Sequence, residues 1–324
     1  MTATKALSAM PPTRESTNHM ATDCTDQPQD SDRLTRFLLD RAGVRGVRVH
    51  LSDSWAQVRE RGHYPPTVTE ILGEATAAAA LFTGHVKVDG RLSVQLRGPG
   101  RLRTLFAECT AAGTVRGIAR LAGDDPSPVP RDLRELGADA MLAITIENRG
   151  LSGREPVRYQ GIVALEADSL ATAFEQYFRQ SEQLPTRLLL AADGSQAAGL
   201  MLQKLPGDEG DDDGWNRAGM LFDTLRPDEL LQWPAETLLA RLFPEEGVRL
   251  LGDRPLRFAC SCSRERVAAM LESLGPDEAR AAVIDGSADI HCEFCGQAYS
   301  FSPGEVEALF SRPGPDTPAP GGLQ

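Results

Sequence analysis

The sequence predicts an α+β protein: an N-terminal mixed domain with a largely antiparallel sheet and helices, a helical linker module, and a small C-terminal α+β module. Three observations carry this. Between residues 33 and 206, strand-like runs are separated by short turn signals, and short turns join antiparallel neighbours. Across 207–258 the pattern changes to brief amphipathic pieces cut by Pro227, Pro234 and Pro244. Four of the six cysteines then fall between Cys260 and Cys295.

Residues 1–32 are polar and without period and read as a disordered tail; Cys24, inside it, reads as an incidental exposed thiol. "VRGVRVHL" is a strand, and "SDSWAQVRERG" a short helix with Ser52 as its cap. "PPTVTEILGEATAAAALFTGHV" is a longer helix opened by proline. "KVDGRLSVQLRG" reads as a hairpin about Asp89-Gly90, and "RLRTLFAECTAAGTVRGIARL" as a second hairpin. Cys109, on an apolar strand, is expected to be buried and inert. "MLAITIEN" and "YQGIVALEA" continue the sheet. In "SLATAFEQYFRQSEQLP", Leu170, Ala173, Phe174 and Tyr177 fall at helical spacing and Pro185 closes the segment. "RLLLAAD" and "AAGLMLQKL" are the last strands of this domain.

The linker, 207–258, opens with "GDEGDDDG". These carboxylates lack the bidentate Glu and flanking helices of a calcium-binding EF-hand loop, so they read as a solvated turn. "WNRAGMLFDTL", "PDELLQW" and "PAETLLARLF" follow as helices with too little core to stand without a neighbour. Met220, Leu221, Phe222 and Leu225 are expected to make core contacts there. In residues 259–312, Ser263 caps a helix with apolar positions Val267, Met270, Leu271 and Leu274, ended by Gly275-Pro276. Asp277 is expected to cap a second short helix. "ADIHCEFCGQAYSF" is strand, turn, strand, with Gly296 relieving the turn, and Ser302 with Glu305 forms a capping box. Residues 313–324 are a Pro/Gly tail, read as disordered.

The formal net charge is −12, which disfavours binding to a phosphate backbone. No apolar run approaches a membrane span of ~20 residues, and no secretory h-region opens the chain, so a cytoplasmic protein with reduced thiols is expected. There, clustered cysteines point to metal or redox chemistry. A thioredoxin-like site would use one Cys-x-x-Cys and leave Cys260 and Cys262 idle. A zinc site uses Cys260, Cys262, Cys292 and Cys295 together, one Zn2+ per chain, although the separation of the two pairs exceeds the common ribbon spacing. His291, beside Cys292, is an alternative ligand that four thiolates make unnecessary. With Phe294, Tyr299, Phe301 and Phe310 its only aromatics, the module has little core of its own. Structural zinc supplies ~10–16 kcal/mol of apparent binding energy, which here becomes folding energy. Arg257, Arg264 and Arg266 are expected to offset the thiolate charge. An oxidant that joins neighbouring thiolates would release the ion and melt the module.

From Arg33 to Phe310 the chain resembles the redox-regulated 33 kDa heat-shock chaperonin (heat-shock protein 33) family. The resemblance is carried by "RAGVRGVRVHL", "LSVQLRGPGRLRTLFAEC", "YQGIVALEADSL", "FEQYFRQSEQLPT", "GLMLQKLP" and Cys-x-Cys…Cys-x-x-Cys. It implies an ATP-independent holding chaperone rather than an enzyme, inactive when reduced and zinc-bound. It further implies that oxidation forms disulfides Cys260–Cys262 and Cys292–Cys295, releases zinc and unfolds module and linker. The active form, often a homodimer, then binds unfolding client proteins. The tails before Arg33 and after Arg312 are longer than the family leads one to expect. Glu182 and Gln183 are assigned only structural stabilisation. The rivals are a zinc-ribbon module recruiting a protein or nucleic-acid partner, disfavoured by acidic charge, and a thiol oxidoreductase.

Overall fold

The computed structural model describes residues 31–123, 127–148, 157–207 and 211–311. The tail readings, Cys24 among them, and part of the acidic turn lie outside these residues. The described chain is α+β, as expected. In order it runs β1 (Arg33–Leu39), β2 (Val44–Leu51), α1 (Asp53–Arg59), α2 (Pro66–His85), β3 (Arg91–Arg97), β4 (Leu102–Thr110) and β5 (Thr114–Leu121). A 3-10 turn, Leu133–Leu136, precedes β6 (Met141–Asn148), β7 (Val157–Val163), α3 (Leu170–Ser181), β8 (Thr186–Ala192) and β9 (Ala197–Lys204). Then come α4 (Gly214–Phe222), α5 (Pro227–Gln232), α6 (Ala235–Leu242), β10 (Val248–Pro255) and β11 (Arg257–Phe258). The chain closes with α7 (Arg264–Leu274), α8 (Pro276–Ala281), β12 (Ala288–His291), β13 (Ala298–Phe301) and α9 (Pro303–Phe310).

Two sheets sandwich one helix. The first has strand order β10-β1-β2-β9-β8 and is antiparallel throughout. The second has order β11-β5-β4-β3-β6-β7, antiparallel except where β11 joins β5 in parallel. Helix α2 lies between them against strands of both. That explains its alanine run: Ala75 and Ala77 to Ala80 are fully buried, and only small side chains let two sheets approach one helix from both sides. At its end Phe82 meets Phe174 and Phe178 of α3 edge-on, ring centroids 4.9 and 5.2 Å apart. Such aromatic pairs add ~0.5–1.5 kcal/mol each beyond the area they bury.

The first sheet is apolar on both faces, and strand alternation shows why. On β9, Ala197 and Met201 face α2, while Ala198, Leu200 and Leu202 face the opposite way. On β1, Leu34 faces α2, and Phe37 and Leu39 face away. Helices α4, α5 and α6 cover that second face with Ala218, Phe222, Leu230, Leu238, Leu239 and Leu242. Phe222 and Leu225 are core, as expected of the linker, whereas Met220 is exposed. A third, separate core holds the C-terminal module, formed by Val267, Leu271, Ala279, Ala288, Phe301 and Val306.

Several local readings need correction. Ser52 precedes α1 but its side chain does not cap it. Asp32, held at φ 56, reaches across instead and its carboxylate accepts from the backbone N–H groups of Ser52, Asp53 and Ser54. Asp89-Gly90 is no hairpin turn: α2 runs to His85, and both edges of β3 are taken by β4 and β6. Gly90 is there because a Cβ would stand 2.0 Å from the Glu147 carbonyl oxygen. Asp277 lies in the first turn of α8, and Gly275 occupies the cap position. Met270 and Leu274 of α7 are exposed, so only Val267 and Leu271 of its expected stripe are buried. Strands β1, β10 and β11 were not anticipated. The residues of β10 are almost all exposed and so show no alternation, and the strand exists because β1 offers it a free edge.

Candidate metal centre

Strand β11 delivers the first cysteine pair. Arg257 pairs with Thr114, and the Ala259 N–H bonds the Val115 carbonyl, so the chain is tied to β5 until one residue before Cys260. Ser263 then caps α7, its hydroxyl accepting from the Arg266 N–H. The second pair lies on the turn between β12 and β13. There the Cys292 N–H donates to the Gln297 carbonyl, and the Gly296 N–H to the Cys292 carbonyl at 2.7 Å. Gly296 takes φ 72, the left-handed conformation that the sequence reading asked of it. Ser302 and Glu305 form the expected capping box of α9.

The fold brings all four cysteines together. The Cys260 and Cys292 sulfurs are 3.6 Å apart, those of Cys262 and Cys295 3.3 Å, and all four lie within 4.8 Å of one another. A tetrahedral ion with thiolates at ~2.3 Å spaces its ligands by about 3.8 Å, so four half-buried sulfurs in this arrangement fit one metal ion. Their acid–base behaviour agrees. Burial opposes ionisation of Cys262, but hydrogen bonds from Tyr299 and from the neighbouring thiols outweigh it and bring the group down to about 7. Cys295 is pushed up to about 12 by burial and by its hydrogen bonds with the Cys262 and Cys292 sulfurs. One thiolate thus suppresses the next, a conflict that a divalent cation removes. His291 is exposed and stands outside the cluster.

The groups around the sulfurs were only partly foreseen. The Tyr299 hydroxyl donates to Cys262 Sγ at 3.1 Å. The cation nearest a sulfur is Arg116 of β5, Nη1 to Cys260 Sγ 3.7 Å, which is also ion-paired at 2.9 Å to the buried Glu108. Arg264 and Arg266 serve the backbone instead: Arg264 bonds the Ser300 carbonyl and lies over the Phe301 ring, and Arg266 bonds the Ser261 carbonyl. Arg257 lies on the short strand β11. No local signal marks Arg116, because its role depends on a strand pairing 144 residues away in sequence. Cys109 is fully buried, and burial pushes its thiol up to about 11, so it is inert as expected.

A second set of contacts ties the linker to the core. Two polar residues of β2, Arg48 and His50, project to the linker side of the sheet and are buried. Arg48 Nη2 donates to the Trp233 carbonyl at 2.5 Å, and a His50 ring nitrogen lies 2.9 Å from the Leu231 carbonyl. These carbonyls end α5, where the helix leaves acceptors unpaired.

A two-sheet α+β core, a strapped helical linker and a small module in which four cysteines converge define the class of protein. The chain belongs to the Hsp33 family: the family described as Hsp33 protein matches residues 32–302. It is 44% identical over 297 residues to the 33 kDa chaperonin of Azotobacter vinelandii, covering 90% of this chain and 98% of that one. It is 43% identical to the 33 kDa chaperonin of Ectopseudomonas mendocina, over 89% and 98% of the two chains. The crystal structure of the 33 kDa chaperonin homologue from Thermotoga maritima shares the fold, with a TM-score of 0.69 at 21% identity over 86% of this chain and 97% of that one. Among the described residues, no helix is long and apolar enough to cross a membrane.

Proposed function

We propose that this chaperone is an ATP-independent holdase controlled by its thiols, and not an enzyme. The observation that carries the proposal is the convergence of Cys260, Cys262, Cys292 and Cys295 on one point in a module with a small core. In the reduced state the four thiolates hold one Zn2+, which supplies the cross-link the module lacks. A peroxide then takes two electrons from each close pair. One thiolate attacks a peroxide oxygen, and the O–O bond breaks as the other oxygen leaves as hydroxide. The second sulfur displaces that oxygen as water, leaving Cys260–Cys262 or Cys292–Cys295 as an S–S bond. The pairing follows the family. With its ligands consumed, the module unfolds.

The linker follows because its C-terminal end, β10 and β11, runs directly into the module. β10 is zipped to β1 and β11 to β5 immediately before Cys260, so a disordered module leaves the short β11 pairing without support. Release of α4 to α6 would uncover Phe37, Leu39, Val44, Leu200 and Leu202, an apolar sheet face suited to unfolded clients. The working units are the core at 33–206, the linker at 207–258 and the module at 259–312. The active species is a homodimer in the cytoplasm that binds no nucleic acid. Zinc content and peroxide response test the switch. One zinc per reduced chain, released on oxidation with loss of helical signal, is expected; full helical signal after zinc loss would sink it.

A further inference from the structure

Phe294, at the tip of the Cys292–Cys295 turn, takes no part in the module's own core. It reaches across to the second sheet of the core. Its ring meets Phe106 of β4 edge-on, centroids 5.6 Å apart, and the Arg116 guanidinium lies over it, 4.3 Å from the ring centre. Beside it Glu293 forms an ion pair with Arg120. Phe106 is the cross-strand partner of Ile118, and both project outward from β4 and β5. On the neighbouring β3 the outward positions are polar: Arg91, Ser93, Gln95 and Arg97. An apolar spot flanked by two arginines is therefore met by an aromatic flanked by a carboxylate. Beyond Val115, where β11 ends, the β5 edge is not free either: the Ala119 N–H donates to the Tyr64 hydroxyl.

We propose that this spot is a binding site for an extended segment of unfolded polypeptide carrying an aromatic next to a carboxylate, occupied in cis by Glu293-Phe294 while the module is folded. Phe106 and Ile118 take the aromatic ring, Arg116 stacks on it and Arg120 takes the carboxylate. The tether holds the internal occupant at high effective concentration, so outside segments compete only after the turn leaves. Because Arg116 also reaches Cys260 Sγ and Phe294 lies between Cys292 and Cys295, the site opens with the metal centre. The proposal rests on the chaperone reading and extends it to a client surface distinct from the face beneath α4 to α6.

The test uses the full chain and a short fluorescent peptide centred on Glu-Phe, followed by anisotropy. Zinc-loaded Phe294→Ala vacates the aromatic half of the spot without any oxidant, so this arm does not depend on the redox switch. It is expected to bind the peptide at least ~10-fold more tightly than the zinc-loaded wild type, as removal of a tethered competitor requires. Adding Phe106→Ser or, separately, Ile118→Arg should abolish binding, with thermal melting of each variant confirming a folded core. Equal binding by zinc-loaded wild type and Phe294→Ala, or undiminished binding in both double variants, would overturn the proposal. Binding by Phe294→Ala but not by oxidised wild type would leave the site standing and count against the switch.

Discussion

The sulfurs of Cys262 and Cys295, 33 residues apart in the chain, lie 3.3 Å from one another, and the Tyr299 hydroxyl donates to the first. This contact closes the module: it joins the segment before α7 to the turn after β12. Cys295→Ser is therefore expected to lose zinc and to unfold residues 259–311, while the two-sheet core keeps its own thermal transition. Calorimetry with a zinc assay checks this, and one unaltered transition in the variant would contradict it.

Tyr299→Phe removes only the hydroxyl that donates to Cys262. Groups that orient metal ligands in this way contribute ~10–100-fold to metal affinity. The variant should remain folded with zinc, yet surrender it to a chelator at correspondingly lower concentration. An unchanged chelator titration would remove Tyr299 from the account.

Arg48 ties α5 to the core through the Trp233 carbonyl. Hydrogen bonds to a charged donor are worth ~1.5–3 kcal/mol, so Arg48→Met should loosen the linker by about that much. The expected readout is faster hydrogen exchange and easier proteolysis across residues 227–243 in the reduced protein, with zinc still bound. Protection equal to that of the wild type would show that apolar packing alone holds the linker.

Glu74 of α2 is buried, and burial pushes its carboxyl up to about 7 while Arg131 pulls the other way. Its ordinary value is near 4.5. Between these values the folded state binds the proton and the unfolded state does not, so stability falls as pH rises from about 4.5 through about 7. At ~1.36 kcal/mol per unit this amounts to about 3 kcal/mol. Glu74→Gln should flatten that part of the profile and so be the more stable protein, relative to wild type, above pH 7. Parallel denaturant-midpoint profiles from pH 4.5 to 8 would contradict this.

What the sequence showed depended on how local each signal was. Helix α3 was legible because Leu170, Ala173, Phe174 and Tyr177 all face one core, and α9 because Ser302 and Glu305 satisfy each other three residues apart. The four cysteines were legible as a set because a reducing compartment disfavours a structural disulfide pair and a thioredoxin-like site would use only two of them. Strand β10 was not, since its stability comes from pairing with β1 and its side chains face solvent. Arg116, Arg48 and His50 were hidden for a related reason. Each is a polar residue on a strand whose partner lies far along the chain, and nothing in its own neighbourhood distinguishes it from a solvated surface residue. Asp32 capped α1 from outside the helix, where the reading looked only at Ser52.

The central claim is that the state of Cys260, Cys262, Cys292 and Cys295 decides whether the protein holds clients. The most direct measurement is light scattering of a heat-unfolded client protein, without ATP, in the presence of reduced zinc-loaded protein or of peroxide-oxidised, zinc-free protein. The oxidised form should suppress aggregation at near-stoichiometric amounts and the reduced form should not. Equal suppression by both forms would contradict redox control.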